Sequence, residues 1–365
     1  MNVKVMQLQT GSGYSGGIAN YISALIKSKA FGKYSNYVVA PGARITPIKS
    51  KNNFYPHASV HDLPQSYSIF SIIPYLISVY KILKNEKISI LHSHALRSGF
   101  IASVISFFLE VKVVHTTHGL RYTQKNMVGR LFSFLIESFV LTRADYVIAI
   151  RKTDFRMLLK RFDRFKHKVK FIPTRLAKIS EFSSRKYDGN ELKIISVGSL
   201  IEIKRPEKFV RWIQELNRHG VVVSATWVGD GPLMSHVKKL AMINKVNISF
   251  PGQMSKNEVA IQMKNAHFLF LTSEYEVMPL SVIESYSCGL PVIANYFIGV
   301  EDFVENEKTG LIVRENENFV DRVIPLISNS KQFNKMSVEA NKKFVTEFSD
   351  SELMAREYTS IYGKF

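Results

Sequence analysis

Short apolar segments alternate with longer amphipathic segments in two successive series, and this alternation restricts the possible folds more than any other feature. The first series predicts strands at residues 3–9, 37–40, 88–92, 111–115, 146–150 and 169–172. Helices are predicted between them, for example at residues 17–29, 69–85, 98–109 and 129–141. Strands that alternate with helices indicate a parallel sheet covered on both faces.

A second series of the same kind follows. It predicts strands at residues 193–198, 221–228, 248–250, 267–271, 291–294 and 310–313, and helices at residues 206–219, 233–243, 255–264, 279–287 and 318–328. Residues 178–190 lie between the two series, are polar and rich in Ser and Lys, and contain an Asp-Gly pair, as linkers do. We therefore expect an α/β protein of two Rossmann-like domains with a cleft between them, where open sheets bind ligands at the carboxyl ends of their strands.

Composition narrows the class of protein further. The 365 residues include one cysteine, Cys288, so no intrachain disulfide can form and a reduced, intracellular protein is expected. The first residues lack the features of a signal peptide, and no run of 18 apolar residues predicts a membrane span. The apolar segments at residues 69–83 and 98–114 are interrupted by Ser, Pro or charge, which favours core helices.

The net charge of +19 is distributed unevenly. Residues 1–185 contain 28 Lys and Arg against 8 Asp and Glu, or +20, and the remainder contains 21 against 22, or −1. A basic half next to a neutral half suggests that the first half faces an anionic partner, either nucleic acid or an anionic membrane surface. A basic surface that is merely solvated is the alternative.

The segment Gly11 to Gly16 matches the pattern G-x-G-x-x-G after a predicted strand and before a predicted helix. A dinucleotide site also needs an acidic residue about 20 positions later, and no Asp or Glu occurs between Met1 and His61. Nicotinamide binding is therefore disfavoured. Gly16 and Gly17 remain candidates to present backbone N–H groups to a phosphate or sugar, although a tight turn explains them almost as well.

Two carboxylates flank the start of a predicted helix in the second series. Pro279 suits the first helical position, which leaves Glu276 in the preceding loop and Glu284 in the second turn. A helix N-terminus favours an anion such as a diphosphate, and a carboxylate can accept hydrogen bonds from vicinal hydroxyls of the kind that a ribose presents.

These motifs together resemble the retaining glycosyltransferases of family 4, which have the GT-B fold. The matching segments are Glu276-x7-Glu284, the S-C-G-L-P-V-I-A run at 287–294, E-N-E-K-T-G-L-I-V at 305–313, I-S-V-G-S-L-I-E-I-K-R-P at 195–206, V-G-D-G-P at 228–232 and I-S-F-P-G at 248–252. They occur in the family's order over about 120 residues. Looser matches in the first half are Gly16-Gly17, L-H-S-H at 91–94, T-T-H-G at 116–119 and A-D-Y-V-I at 144–148.

The resemblance implies a role for each matching residue. Glu284 would hold the ribose of the nucleotide, Glu276 the donor sugar near the reacting centre, and Lys204 the leaving diphosphate. His118 would reach the donor sugar and stabilise charge at its anomeric carbon. Further donor-binding positions would be Gly198, Ser199, Arg205, Gly229, Pro279, Leu280, Gly16 and Gly17. The last two would approach either the donor phosphates or the acceptor. His92 and His94 have no further ligand at metal-binding spacing, so a structural role is expected for them.

The resemblance also implies an organisation of the chain. Residues 1–177 would form the acceptor-binding domain and residues 178–347 the nucleotide-sugar-binding domain, with the two parallel sheets facing across the cleft. A C-terminal helix at about residues 348–365 would pack back onto the first domain.

The chain departs from the family pattern at three places. Ser199 stands where an Arg is usual, five residues before Lys204; Thr174-Arg175 replaces Asn-Gly, and Arg151 replaces Ser. The first departure removes one of two cations expected at the diphosphate, and Arg205 is the nearest substitute in the sequence.

The sequence contains no Asp-x-Asp motif of the kind that holds Mg²⁺ or Mn²⁺ in other transferases. No metal and no cofactor are therefore expected, and Lys204, helix N-termini and backbone N–H groups would stabilise the leaving group. The resemblance implies retention of anomeric configuration.

The expected partners follow from the same resemblance. They are a nucleotide-sugar donor, with UDP as the expected nucleotide, and a saccharide or lipid-linked acceptor of cell-surface polysaccharide synthesis. The segment 151–170 carries nine Lys and Arg against two Asp, with Phe and Leu interleaved, and is expected to lie on an anionic membrane face. The enzyme would then be cytoplasmic and peripheral on the inner membrane. A GT-B sugar-nucleotide epimerase and a basic nucleic-acid-binding module are the two rival functions, and no nucleic acid is expected as partner.

Overall fold

A computed structural model describes residues 2–11, 16–41, 55, 57–63, 72–120, 127–179, 181–182 and 190–365. The middle of the G-x-G-x-x-G segment, the first three residues of the helix predicted at 69–85, and most of the predicted linker lie outside these ranges. The chain divides into two compact units: Met1–Arg175 with Asp350–Phe365, and Leu176–Ser349.

The first unit contains a seven-stranded, fully parallel sheet. Its strands are β1 (Lys4–Leu8), β2 (Ser35–Pro41), β3 (Ala58–Leu63), β4 (Ile90–His94), β5 (Lys112–Thr117), β6 (Tyr146–Ala149) and β7 (Val169–Phe171). Their order across the sheet is β3-β2-β1-β4-β5-β6-β7. The order reverses between β1 and β4, and this reversal makes the carboxyl edge of these two strands the expected ligand position.

Among the described residues of this unit, five helices connect the strands, and a sixth follows from the C-terminal part of the chain. They are α1 (Gly16–Lys27), α2 (Ile72–Glu86), α3 (Ala95–Ile105), α4 (Met127–Arg143), α5 (Lys152–Arg161) and α12 (Ser351–Tyr362). Tyr358 and Tyr362 of α12 are buried in the first unit, one helical turn apart.

The sequence prediction of the first unit is wrong at two strands. β3 was not predicted, because its sequence Ala-Ser-Val-His-Asp-Leu is only partly buried at the sheet edge and lacks an apolar pattern. β4 begins at Ile90, two residues later than predicted, and continues through Ser93 and His94. Both of those polar side chains are fully buried, and apolar patterning cannot find a strand that ends in buried polar residues.

The second unit repeats the same topology with six parallel strands. They are β8 (Leu192–Val197), β9 (Val223–Val228), β10 (Ile248–Gly252), β11 (Phe268–Leu271), β12 (Val292–Asn295) and β13 (Gly310–Val313), in the order β10-β9-β8-β11-β12-β13. The helices are α6 (Pro206–Arg218), α7 (Met234–Ile243), α8 (Lys256–Asn265), α9 (Leu280–Ser287), α10 (Phe319–Ile327) and α11 (Ser330–Lys343). The order reverses between β8 and β11.

Apolar side chains cover both faces of the second sheet. On one face Trp212 of α6 stacks on Phe319 of α10 with ring centroids 4.4 Å apart. On the other face Ile283 and Tyr286 of α9 pack with Cys288. The prediction that Cys288 is a core residue is confirmed, since its side chain is fully buried.

Two details of the second unit correct the prediction. α9 begins at Leu280, so Pro279 is the N-cap residue and not the first helical residue. α11 was not predicted, because its exposed face is rich in Lys, Asn and Gln and its apolar positions are few. Across the described residues, no helix has both the length and the apolar composition that a membrane crossing requires.

Arg151 is not part of the basic surface that segment 151–170 was expected to form. Its guanidinium lies 2.5 Å from the Asp154 carboxylate, and both side chains are completely buried at the start of α5. The exposed cations of the segment include Lys152, Arg156 and Lys160, which follow one another at intervals of four residues along α5.

Asp154→Asn removes the negative charge beside the buried Arg151 guanidinium, so we expect it to lower the free energy of unfolding by about 3–5 kcal/mol. Urea denaturation measures this change. The matched control is Asp163→Asn, which removes an exposed partner of Lys166 and is expected to cost less than about 1 kcal/mol. Equal effects of the two variants would contradict the assigned burial.

Candidate functional site

The two loops that leave the switch point of the second sheet carry most of the predicted site residues. The loop after β8 contains Gly198, Ser199, Lys204 and Arg205, and the loop after β11 contains Glu276 and ends at Pro279. Since β8 and β11 are neighbouring parallel strands, both loops start at the same edge of the sheet. The topology therefore brings together residues that are more than 70 positions apart in the sequence.

Lys204 and Glu276 are in direct contact. The Lys204 ammonium donates a hydrogen bond to Glu276 Oε1, and both side chains keep some exposure, 25% and 11%. Ser273 Oγ donates a second hydrogen bond to the same oxygen at 2.7 Å. Glu276 is thus fixed by two donors, and the partial exposure leaves the pair accessible to a ligand.

Buried side chains hold this loop in place. Thr272 Oγ1 donates to the Lys204 carbonyl oxygen at 2.9 Å, which ties the two loops together. Asn295, at the end of β12, donates from Nδ2 to the Ser273 carbonyl oxygen at 3.0 Å. The Lys208 ammonium in turn donates to Asn295 Oδ1. A chain of polar contacts therefore runs from α6 to the residue that holds Glu276.

Lys208 is a partly desolvated cation in this chain. Burial, followed by the positive charges of Arg205 and Arg211, lowers its pKa below the ordinary value. Its ammonium also lies 5.3 Å from the centre of the Trp212 ring. An extra positive charge on α6, the helix that follows Lys204, consequently contacts Asn295, which supports the loop that carries Glu276.

The glycines of the site are explained by close approach of backbone to backbone. A Cβ atom on Gly229, whose φ is 136°, would lie 2.1 Å from the Gly198 carbonyl oxygen. Gly198 is itself next to the Lys204 side chain, since a Cβ there would lie 3.6 Å from Lys204 Cε. These two glycines allow the turns after β8 and β9 to pack together beneath Lys204.

Arg205 makes an ion pair within the site, whereas Ser199 is exposed to solvent. Arg205 adopts a left-handed conformation at the start of α6, and its guanidinium lies 3.0 Å from Glu274 Oε2. Ser199 is exposed. Arg205 is therefore engaged by a carboxylate of the same loop that carries Glu276.

The other acidic candidate, Glu284, lies in the second turn of α9. Its side chain is half-buried, and burial raises its pKa, while the positive charge of Lys256 acts against that rise. Pro279 and Leu280 mark the start of the helix, whose first N–H groups have no partner within the helix. Glu276 and Glu284 thus lie on either side of a helix N-terminus, as the sequence predicted.

The switch point of the first sheet is occupied by histidines. His94, at the end of β4, lies with Nε2 2.8 Å from Gln7 Oε1 of β1 and with Nδ1 3.1 Å from His118 Nε2. His118 follows β5 and is partly exposed. Tyr21 of α1 makes an edge contact with the His118 ring, with centroids 5.3 Å apart.

Tyrosines of α12 hydrogen-bond to the histidine group and to the residues around it. Tyr362 OH lies 2.6 Å from His92 Nδ1, and His92 Nε2 lies 2.7 Å from Thr116 Oγ1. Thr116 lies 3.0 Å from Tyr358 OH, which is 2.5 Å from Tyr21 OH. His92 and His94 are therefore held by protein groups.

Burial determines the charge of these histidines. Burial, together with the charge of His115, lowers the pKa of His118 to about 3, and burial lowers the pKa of His115 to about 4. The pKa values of His92 and His94 also fall well below the ordinary value, chiefly by burial and then by the neighbouring histidines. The group is accordingly neutral at physiological pH.

Gly16 and Gly17 form the start of α1 in the same unit. Both are exposed, Gly16 has a φ of 85°, and no atom lies within 4 Å of where a Cβ would stand on either residue. Packing does not require glycine at these two positions, whereas the left-handed backbone of Gly16 favours it.

Sequence reasoning missed the residues that orient the site. They are Gln7, Tyr21, Thr116, Tyr358 and Tyr362 in the first unit, and Lys208, Thr272, Ser273 and Asn295 in the second. Asn295 follows three apolar strand residues, and Tyr358 and Tyr362 are spaced by one helical turn, so weak indications were present. The sequence does not show which residues these side chains contact, because their hydrogen-bond partners are far away in the chain.

Comparisons with known proteins agree with this architecture. Residues 15–174 match the family described as Glycosyltransferase Family 4, and residues 178–343 match Glycosyl transferases group 1. The two matches together span nearly the whole chain, and the protein belongs to the family 4 glycosyltransferases of GT-B fold. It is a sugar-transferring enzyme.

Individual relatives cover most of the chain. UDP-Gal:alpha-D-GlcNAc-diphosphoundecaprenol alpha-1,3-galactosyltransferase from Escherichia coli is 26% identical over 80% of this chain and 79% of its own length. Sucrose-phosphate synthase from Thermosynechococcus elongatus superimposes with a TM-score of 0.83 at 17% identity, covering 99% and 98% of the two chains. Anabaena HepE, in complex with UDP-glucose, gives 0.79 at 15% identity, covering 99% and 100%. The two structures establish the fold.

The buried histidines predict a dependence of stability on pH. Because the pKa of His115 is lower in the folded than in the unfolded chain, its stabilising contribution is present above pH 6.5 and is lost as pH falls towards 4. We expect His115 to account for about 2 kcal/mol of the stability lost between pH 7 and pH 5.

Urea denaturation of His115→Gln at the two pH values measures this contribution. The variant should lose less stability over this interval than the wild type, whatever its stability at pH 7. The matched control is His167→Gln, which replaces an exposed histidine of the same unit. An unaltered slope for His115→Gln would show that the assigned titration is wrong.

Proposed function

We propose that the protein is a retaining, metal-independent glycosyltransferase that moves a sugar from a UDP-sugar to a saccharide or lipid-linked acceptor in bacterial surface-polysaccharide synthesis. The observation that carries the proposal is the contact between Lys204 and Glu276 at the carboxyl edge of the second sheet. An ammonium, a carboxylate and a helix N-terminus there suit a sugar diphosphate.

The chemistry of the step explains why these groups are needed. When the bond between the anomeric carbon and the diphosphate oxygen breaks, the sugar becomes positive and the leaving group becomes negative. Lys204 and the N–H groups at the start of α9 offer positive potential to the diphosphate. Glu276 offers a negative charge to the sugar. No metal or cofactor is assigned a role in this step.

Glu284 is proposed to bind the ribose of the donor. A carboxylate accepts two hydrogen bonds, and vicinal hydroxyls donate two. Its position within α9, half-buried and five residues after Pro279, fixes the side chain on a rigid element. Preorganisation of this kind lowers the cost of ordering the site when the donor binds.

His118 is proposed to contact the donor sugar as a neutral imidazole. Its lowered pKa keeps a positive charge away from the sugar at the moment when the anomeric carbon becomes cationic. The imidazole can still donate or accept a hydrogen bond, and its contact with His94 limits its orientation.

The relatives support the choice of donor and acceptor. The E. coli galactosyltransferase is named for a UDP-sugar donor and a diphosphoundecaprenol-linked acceptor, and the HepE structure contains UDP-glucose. A lipid-linked acceptor would place the enzyme on the cytoplasmic face of the inner membrane. The basic first half of the chain is suited to an anionic membrane surface.

Donor specificity can be tested by thermal shift with EDTA present. A ligand that binds only the folded protein raises the melting temperature, so UDP-glucose and UDP-galactose should raise it and GDP-, ADP- and CMP-sugars should not. A shift with none of the four nucleotides would contradict the proposed donor site.

The role of Glu284 predicts a change in donor affinity. Glu284→Ala should raise KM for the UDP-sugar about tenfold or more, because hydrogen bonds to a charged group contribute about 1.5–3 kcal/mol. Glu284→Gln, which keeps one acceptor oxygen, should retain part of the affinity. The control is Glu301→Ala, at an exposed carboxylate of the same unit. If Glu284→Ala and Glu301→Ala have the same KM, the ribose assignment is wrong.

A further inference from the structure

Helix α4 exposes an apolar face to the outside of the protein. Five large apolar residues of its first half are between 57% and 80% exposed: Met127, Val128, Leu131, Phe132 and Leu135. At 3.6 residues per turn these side chains fall within an arc of about 140°. We call these five residues the α4 ridge.

The opposite side of α4 is partly polar. Ser133 and Glu137 are buried against the protein, together with Val140 and Leu141. In the first half of the helix, the polar Ser133 is buried while five large apolar side chains are exposed, which is contrary to the usual pattern of a helix that covers a core in water. An exposed, contiguous apolar patch of this kind marks an interaction surface.

Positive charges lie next to the α4 ridge. The Arg161 guanidinium at the end of α5 lies 4.7 Å from the centre of the Phe134 ring, and Phe134 also stacks on Phe162 at 5.3 Å. Phe134 belongs to the same turns of α4 as Leu131 and Leu135. The end of α5 is thus in contact with the helix that carries the ridge.

Helix α5 also carries exposed cations on another face. Lys152, Arg156 and Lys160 follow at intervals of four residues, so they lie on one face of the helix. The two contacting helices, α4 and α5, therefore combine exposed apolar side chains with exposed Lys and Arg. This is the composition of helices that lie in the interface of a membrane containing anionic lipids.

We propose that the α4 ridge inserts into the surface of an anionic lipid bilayer, with α5 supplying cations to the headgroups. The inference rests on the proposed function only for its choice of a lipid as partner. Side chains at this depth lie about 5–10 Å into the headgroup and acyl boundary. The ridge contributes contacts that salt does not screen, whereas the cations of α5 contribute contacts that it does.

Vesicle sedimentation tests the ridge directly. The probes are vesicles of phosphatidylglycerol with phosphatidylethanolamine, and vesicles of phosphatidylcholine alone, at low salt and at 0.5 M salt. The triple variant Leu131→Gln, Phe132→Gln, Leu135→Gln should bind anionic vesicles about tenfold more weakly than the wild type, because apolar burial is lost. Part of the wild-type binding should survive 0.5 M salt, and in the triple variant that part should disappear.

A matched control uses exposed apolar residues of the second unit. Met242, Ile243 and Ile261 are between 57% and 78% exposed. Their replacement by Gln should leave vesicle binding unchanged. Equal binding by the wild type and the α4 variant would overturn the proposal, and so would equal losses in the two triple variants.

Insertion itself is measured with a fluorescent reporter. The two native tryptophans, Trp212 and Trp227, are buried in the second unit. In Phe132→Trp, anionic vesicles should shift the added emission to shorter wavelength, and brominated lipid should quench it. An unshifted emission on vesicle-bound protein would contradict insertion.

Two further measurements separate this inference from its alternatives. Sedimentation velocity of the wild type without lipid should give a monomer; a dimer that the α4 triple variant converts to a monomer would assign the ridge to a second copy of the chain. UDP binding by calorimetry should be equal in the wild type and the variant. Absence of UDP binding in both proteins, with vesicle binding intact, would refute the proposed function and leave the docking surface in place.

Discussion

The ion pair between Lys204 and Glu276 is the interaction on which the site of the second unit depends. It exists because β8 and β11 are adjacent although β9 and β10 separate them in the sequence. The supporting contacts from Thr272, Ser273 and Asn295 all converge on the same two loops. The fold thus places one positive and one negative side chain at the edge where an α/β sheet offers its ligand site. Such a pair suits a reaction that separates charge between a sugar and a diphosphate.

The first unit carries uncharged side chains at the equivalent edge of its sheet. Its switch point is filled by neutral histidines and protonated tyrosines, since burial lowers the pKa of His118 and raises the pKa of Tyr358. Tyr358 and Tyr362 reach this group from α12, so the last helix of the chain completes the polar network of the first unit. The second unit provides charge and the first provides a fixed array of uncharged hydrogen-bonding groups.

Much of this architecture could be predicted from the sequence, and there are physical reasons why the rest could not. The strands of both sheets follow apolar segments, and GT-B is confirmed as the fold. The motifs around Lys204, Glu276 and Glu284 identified the family because loop residues at strand ends keep their order and spacing.

β3 and the last residues of β4 were missed because polar side chains occupy them. Arg151 was misread as a surface cation, since a charged residue gives no sign in the sequence that a buried partner lies three positions away. The α4 ridge was not predicted as a surface for the converse reason, because apolar residues are normally assigned to a core.

The most direct test of the account compares UDP with uridine as ligands of the wild type and of Lys204→Met, by titration calorimetry in the presence of EDTA. If Lys204 acts on the diphosphate, the variant should bind UDP about tenfold or more weakly and bind uridine with unchanged affinity. Equal affinities of the wild type and the variant for UDP would contradict the account. Equal losses for both ligands would contradict it too, because Lys204 would then support the fold of the site and not the diphosphate.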